Sequence, residues 1–152
     1  MPRLVILRHA KSAWPDGVPD YRRPLADRGR HEAPAVGQWL VKHVPPIDLA
    51  LVSPATRTRQ TWELVSAELP TAPEVRFEEQ LYGEGSDAIL ALLRTLGDVA
   101  TVLVVGHNPD LELLINALTG DQVVLKTSTL AVLTCTKAFE SGEIDVTEKI
   151  RP

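Results

Sequence analysis

Three short apolar runs constrain this chain more than anything else in it. Residues 4–7 read Leu-Val-Ile-Leu, residues 49–52 read Leu-Ala-Leu-Val, and residues 101–105 read Thr-Val-Leu-Val-Val. None alternates with polar residues, so each fits a strand buried on both faces, the habit of parallel sheets. The strands predicted from them cover residues 3–8, 48–52 and 101–105. Segments of helical periodicity lie between them. Strand alternating with helix predicts an α/β fold, a three-layer α/β/α sandwich around a mostly parallel central sheet.

The connections carry their own signals. Residues 11–27 hold Pro15, Gly17, Pro19 and Pro24 and read as a loop. A connection of this length in a compact domain is usually functional or mobile, and this one leaves the end of the first strand. A helix is expected over residues 27–43, with Asp27 as N-cap and Ala33, Val36, Leu40 and Val44 as its inward stripe. Pro34 falls inside it, where it deletes a hydrogen bond. His31 and His43 read as solvated. The next helix is expected over residues 54–69, capped by Ser53, with Pro54 in first position and Thr58, Trp62, Val65 and Leu69 facing inward. That places Arg57 in the first turn, with Arg59 pointing elsewhere. Residues 75–77 suit a short strand. Ser86 is expected to cap a helix reaching residue 96, whose core face is Ile89, Leu92, Leu93 and Leu96. Asn108 and Pro109 open a further helix and Gly120 ends it. Residues 128–135 and 144–148 read as closing strands, antiparallel across the turn at Ser141-Gly142.

Composition narrows the class. A chain of 152 residues suggests one domain, residues 1–152, and one near this size buries about 68–70% of its unfolded surface. The net charge of −4 argues against a nucleic-acid binder that works through bulk positive charge. No run approaches a membrane span. The first apolar run is four residues long and closed by Arg8, so no signal peptide is expected and the expected location is the cytoplasm. Cys135, the single cysteine, reads as a core residue.

All three buried strands end in polar chemistry: Arg8-His9, Ser53 leading to Arg57, and Gly106-His107-Asn108. In a parallel sheet these groups meet at the carboxyl edge, where open α/β sheets bind ligands. Two guanidinium groups and two helix N-termini suit a phosphate. Two histidines beside them suit chemistry as well as binding, since nearby positive charge keeps an imidazole neutral and nucleophilic. Read as metal ligands, His9 and His107 lack a third partner and stand among cations.

These residues resemble the histidine phosphatase (phosphoglycerate mutase-like) superfamily. The resemblance rests on Leu7-Arg8-His9-Ala10, on residues 53–61 (Ser-Pro-Ala-Thr-Arg-Thr-Arg-Gln-Thr) and on Val105-Gly106-His107-Asn108-Pro109. Arg23-Pro24-Leu25 followed by Arg28-Gly29 looks most like the SixA-like branch of phosphohistidine phosphatases. The resemblance implies that His9 takes the phosphoryl group and water then releases phosphate. Arg8, Arg57 and His107 would hold the phosphoryl oxygens, with Asn108 counted among the phosphate-binding residues. No metal or other cofactor is implied. Ala10 stands where the family more often has glycine, and Ala26 where relatives often have a capping hydroxyl. Glu84, between Gly83 and Gly85, is the one candidate for the general acid of the wider superfamily; a solvated turn is its other reading.

The missing clear acid bears on the substrate. An alkoxide leaving group needs a proton in the transition state, whereas imidazole, with a conjugate acid near pKa 6.5, needs less help. The expected partner is therefore a protein phosphorylated on histidine, with inorganic phosphate as product and neither nucleic acid nor membrane involved. The alternatives are a phosphatase for small phosphate esters using Glu84, a phosphomutase, and a non-catalytic phosphate-binding module. Trp14, in the long loop, reads equally as a partner contact and as a loop anchor.

Overall fold

The computed structural model describes all 152 residues. A six-stranded sheet runs through the chain in the order β3-β2-β4-β1-β5-β6. Its strands are β1 (Arg3–Arg8), β2 (Leu49–Val52), β3 (Glu74–Phe77), β4 (Thr101–Gly106), β5 (Thr129–Cys135) and β6 (Gly142–Lys149). The first four are parallel. β5 runs antiparallel to β1, and β6 antiparallel to β5. The helices are α1 (Asp27–His43), α2 (Thr56–Ser66), α3 (Ser86–Arg94) and α4 (Asp110–Thr119). None is long and apolar enough to cross a membrane.

Period-two side-chain direction explains the layers. Val5, Leu7, Ala50, Val52, Leu103 and Val105 face Ala33, Val36, Leu40, Trp62 and Val65 of α1 and α2. Leu4, Ile6, Leu51, Val102 and Val104 face Ile89, Leu93, Leu111, Leu114 and Ile115 of α3 and α4. Both faces of β1, β2 and β4 are thus covered, and residues 4–7 have no exposed surface at all. This is why their apolar runs are continuous and why the fold is a three-layer sandwich. Cys135 lies in the core, where burial pushes its thiol up to about 11. His31 and His43 are exposed, as expected, each with Nδ1 against the carbonyl four residues back.

Helix starts depart from the sequence expectation. Asp27 lies inside α1 and pairs with Arg30 at 3.5 Å, and Ala26 holds the cap position without a side-chain bond. α2 begins at Thr56 after Ala55 and ends at Ser66, so Ser53 is no cap, Pro54 is outside the helix and Leu69 lies beyond it. α3 follows Gly85 and stops at Arg94. α4 follows Pro109, so Asn108 does not cap it, while Gly120 ends it in the left-handed conformation, φ 78°. α1 runs through Pro34. It meets α2 at Gly37, where a Cβ would lie 2.5 Å from the Val65 carbonyl, and meets the loop at Gly29, where a Cβ would lie 2.2 Å from the Lys11 carbonyl.

Register places the candidate residues. Leu7 and Val52 both pair with Val105. The next residues, Arg8-His9, Ser53 and Gly106-His107, therefore leave the sheet side by side at its carboxyl edge.

Candidate active site

His9 is held by backbone on both sides. Its N–H donates to the Gly106 carbonyl at 3.2 Å, and its carbonyl accepts the Ser128 N–H at 3.1 Å. The ring is buried. Nδ1 lies 2.7 Å from the Ala10 carbonyl. A carbonyl only accepts, so Nδ1 carries the proton and Nε2 keeps its lone pair. Burial brings the imidazole down to about 4, against the Ala10 hydrogen bond and with help from Arg57, Arg8 and Arg23. The Ala10 N–H is itself fixed by Thr61 Oγ1 at 3.1 Å, and Thr61 donates to the Arg57 carbonyl at 2.8 Å. One residue of α2 thus ties the strand end to the turn that carries Arg57.

The ring of His107 lies 5.3 Å from that of His9, centroid to centroid. Its Nε2 meets Ser53 Oγ at 2.8 Å. Ser53 Oγ also accepts the Ala55 N–H at 3.4 Å, which suits a hydroxyl that gives its own proton to Nε2. Nδ1 then carries the proton, and it is buried without a partner. Burial first, then the neighbouring His9 and Arg57, bring His107 down to about 3. Both imidazoles are neutral at pH 7.

Two arginines flank the pair. Arg8 donates from Nη1 to the Leu125 carbonyl at 3.0 Å, and its Nε is buried without a partner. Arg57 donates from Nη1 to the Asp20 carbonyl at 2.8 Å and from Nη2 to Asp20 Oδ2 at 3.1 Å; its Nε is likewise buried and unpartnered. Arg8 Nε, Arg57 Nε and His107 Nδ1 are thus three buried donors without partners on the side chains beside His9, and Asn108 Oδ1, an acceptor, is likewise buried without a partner. Buried polar groups normally have partners, and three N–H donors left without one suit an oxyanion.

Arg8, His9, Arg57 and His107, expected together from the sequence, are together. Asn108, expected among the phosphate-binding residues, donates from Nδ2 to the Leu125 carbonyl at 2.8 Å, the same carbonyl that Arg8 uses, and its Oδ1 is buried without a partner. Glu84 is exposed in its turn and makes no hydrogen bond or ion pair. Tyr82, two residues earlier, is the part of that turn that reaches the site. Its ring lies 5.5 Å from that of His107, and its hydroxyl donates to Asp20 Oδ2 at 2.6 Å.

Sequence reasoning missed Asp20, Tyr82 and the use of Ser53. Asp20 belongs to a 3-10 turn, Asp20–Arg22, in the long loop. The Tyr82 hydroxyl foremost, with Arg23 and Arg57, holds its carboxyl at about 2. Arg23 is buried and fixes the loop, donating to Ala13 O at 3.0 Å, Ser12 Oγ at 2.5 Å and Asp20 Oδ1 at 3.0 Å. It also stacks 3.2 Å from the ring of Trp14, which is 75% exposed, so the indole is both anchored and open to contact. The one available signal for Asp20 was its place three residues before Arg23-Pro24-Leu25.

Known proteins share the family signature and the fold. The chain matches the model of the histidine phosphatase superfamily (branch 1) over residues 4–88. An uncharacterized Mycobacterium tuberculosis protein is 45% identical over 104 residues, 68% of this chain; the match spans 63% of that relative's length. Phosphohistidine phosphatase SixA of Escherichia coli is 36% identical over 111 residues, 70% of this chain and 68% of that one. A structure of the protein histidine phosphatase SixA complexed with tungstate superposes with a TM-score of 0.89 at 28% identity, covering 97% of this chain and 96% of that one. With three unpartnered donors beside a neutral histidine at the carboxyl edge of this sheet, the chain belongs to the histidine phosphatase superfamily.

Proposed function

We propose that this protein is a phosphatase that passes the phosphoryl group through Nε2 of His9 and that its substrate is phosphohistidine in a protein. The observation that carries the reading is the set of three unpartnered donors on Arg8, Arg57 and His107 beside an imidazole whose Nδ1 bonds the Ala10 carbonyl. In the first step the His9 Nε2 lone pair attacks phosphorus and the P–N bond of the substrate breaks. The substrate imidazole leaves neutral, its other ring nitrogen carrying a proton. The His9 ring, now bonded through Nε2 and protonated at Nδ1, is cationic, and the Ala10 carbonyl supports that charge. In the second step water attacks phosphorus, the P–Nε2 bond breaks, and both protons of the water stay with the phosphate, which leaves as dihydrogen phosphate. His9 leaves as the neutral imidazole it began as. Arg8, Arg57 and His107 stabilise the charge on the equatorial oxygens in both steps.

The absence of a poised acid favours this substrate over a phosphate ester. Asp20 is held ionised at about 2, Tyr82 is pushed above its ordinary value by its bond to Asp20, and Glu84 faces solvent. None is a ready proton donor to an alkoxide, and phosphohistidine needs none.

Trapping tests the proposal. A protein carrying radiolabelled phosphohistidine, mixed with this chain and quenched, is expected to transfer an acid-labile, base-stable label that is absent from His9→Ala. Label retained by His9→Ala refutes the assignment of the nucleophile. Failure to release phosphate from any histidine-phosphorylated protein refutes the substrate.

A further inference from the structure

Both terminal nitrogens of Arg57 are engaged within the chain. Asp20 supplies a carbonyl to Nη1 and a carboxylate oxygen to Nη2, at 2.8 and 3.1 Å. This is the two-pronged grip an arginine makes on an oxyanion, with an aspartate in the anion's role. The carboxylate has two further donors, Tyr82 Oη at 2.6 Å and Arg23 Nη1 at 3.0 Å. It sits on a loop and is half exposed, whereas the Arg57 side chain is buried. Of the pair, Asp20 is the partner free to yield.

We propose that Asp20 is a specificity-determining residue: an internal anion on the outer fork of Arg57 that a phosphoryl group must displace or share, so that the site holds free inorganic phosphate loosely. A pocket with two arginines and two histidine rings otherwise binds its own product tightly, and slow product release then limits turnover. Asp20 offsets that attraction in two ways. It occupies N–H groups of Arg57, and it places one negative charge beside the cationic wall. The proposal rests on the phosphatase reading for its product; its anion-binding part stands on geometry alone.

The competing role is that Asp20 merely orients Arg57, and the two roles differ in sign. Loss of an orienting group weakens oxyanion binding; loss of a competing anion strengthens it. Asp20→Asn separates them, because the backbone carbonyl stays and the amide oxygen still accepts from Arg57 Nη2 and Tyr82, while the charge and the bond from Arg23 Nη1 go. Tungstate and inorganic phosphate titrated calorimetrically into wild type and Asp20→Asn are expected to show a dissociation constant lowered roughly three- to tenfold in the variant, the size of one partly screened charge. Asp20→Ser, a second variant at the same half-exposed position, shifts the same way. Unchanged or weaker binding in variants that melt like wild type overturns the proposal. The readout needs no turnover: wild type that binds tungstate yet releases no phosphate from a phosphohistidine protein overturns the catalytic reading and leaves the sign of the Asp20 effect to be read. Weaker binding in both variants beside normal wild-type turnover does the reverse. No tungstate binding to any of the three overturns both.

Discussion

Two neutral histidines buried beside arginines make the fold sensitive to mild acid. In the unfolded chain each imidazole titrates near 6.5; in the folded chain His9 is brought down to about 4 and His107 to about 3. Below 6.5 the unfolded chain therefore binds protons that the folded chain refuses, and stability falls as pH falls. The contribution is intact above 6.5. It is lost progressively down to about 4 for His9 and about 3 for His107. At pH 5 nearly every unfolded imidazole is protonated and nearly every folded one is not, so linkage at 1.36 kcal/mol per pH unit gives a loss of about 2 kcal/mol from each ring. About 4 kcal/mol from the pair is a large share of a net stability of about 5–15 kcal/mol. Urea unfolding followed by tryptophan fluorescence, with Trp62 as a buried reporter, measures this between pH 7.5 and 5. Wild type is expected to lose about 4 kcal/mol more over that interval than the double variant His9→Gln/His107→Gln, in which neither position titrates. Equal losses in the two proteins refute the reasoning. The same shift predicts that phosphoenzyme formation shows no decline with a midpoint near 6.5, because the nucleophile is already unprotonated there.

Two further substitutions test the surroundings. Gly29→Ala drives a Cβ into the Lys11 carbonyl, which also accepts the Ala26 N–H at 2.8 Å; a destabilisation of about 1–3 kcal/mol by thermal melting is expected, and a rise in melting temperature, the ordinary helix effect of alanine, refutes the close approach. Glu84→Gln is expected to leave phosphate release within about twofold of wild type, and a loss of order 100-fold, the usual worth of general acid catalysis, restores Glu84 as proton donor.

The parts of the fold legible in the sequence are those set by burial over a few consecutive residues. Residues 4–7 and 101–105 read as doubly covered strands because both faces of β1 and β4 are covered by helices. The stripe Ala33, Val36, Leu40 and Val44 is buried as its period demanded. His9, Arg57 and His107 were legible as one site because parallel register aligns the ends of their strands. Asp20 was not. It reaches Arg57 across 37 residues and Tyr82 across 62, from a loop without period, so no local pattern could announce the contact. Glu84 is the converse case: a carboxylate in the right stretch of chain, exposed on a turn whose member reaching the site is Tyr82.

Helix starts show where local rules yield to the site. Ser53 and Asn108 carry every mark of an N-cap, yet neither α2 nor α4 has a side-chain cap. Ser53 spends its hydroxyl on His107 Nε2 and leaves Nδ1 as the buried, unpartnered ring nitrogen; Asn108 gives its amide to Leu125 O beside Arg8. A cap is worth about 1 kcal/mol, and the chain forgoes it at α2 and α4, as it does at α1 and α3. Their first-turn N–H groups then keep the partial positive charge that a capping oxygen would have blunted. Ser53 and Asn108 thus read as helix starts and serve the sheet edge instead, through their bonds to His107 and to the Leu125 carbonyl that Arg8 also uses.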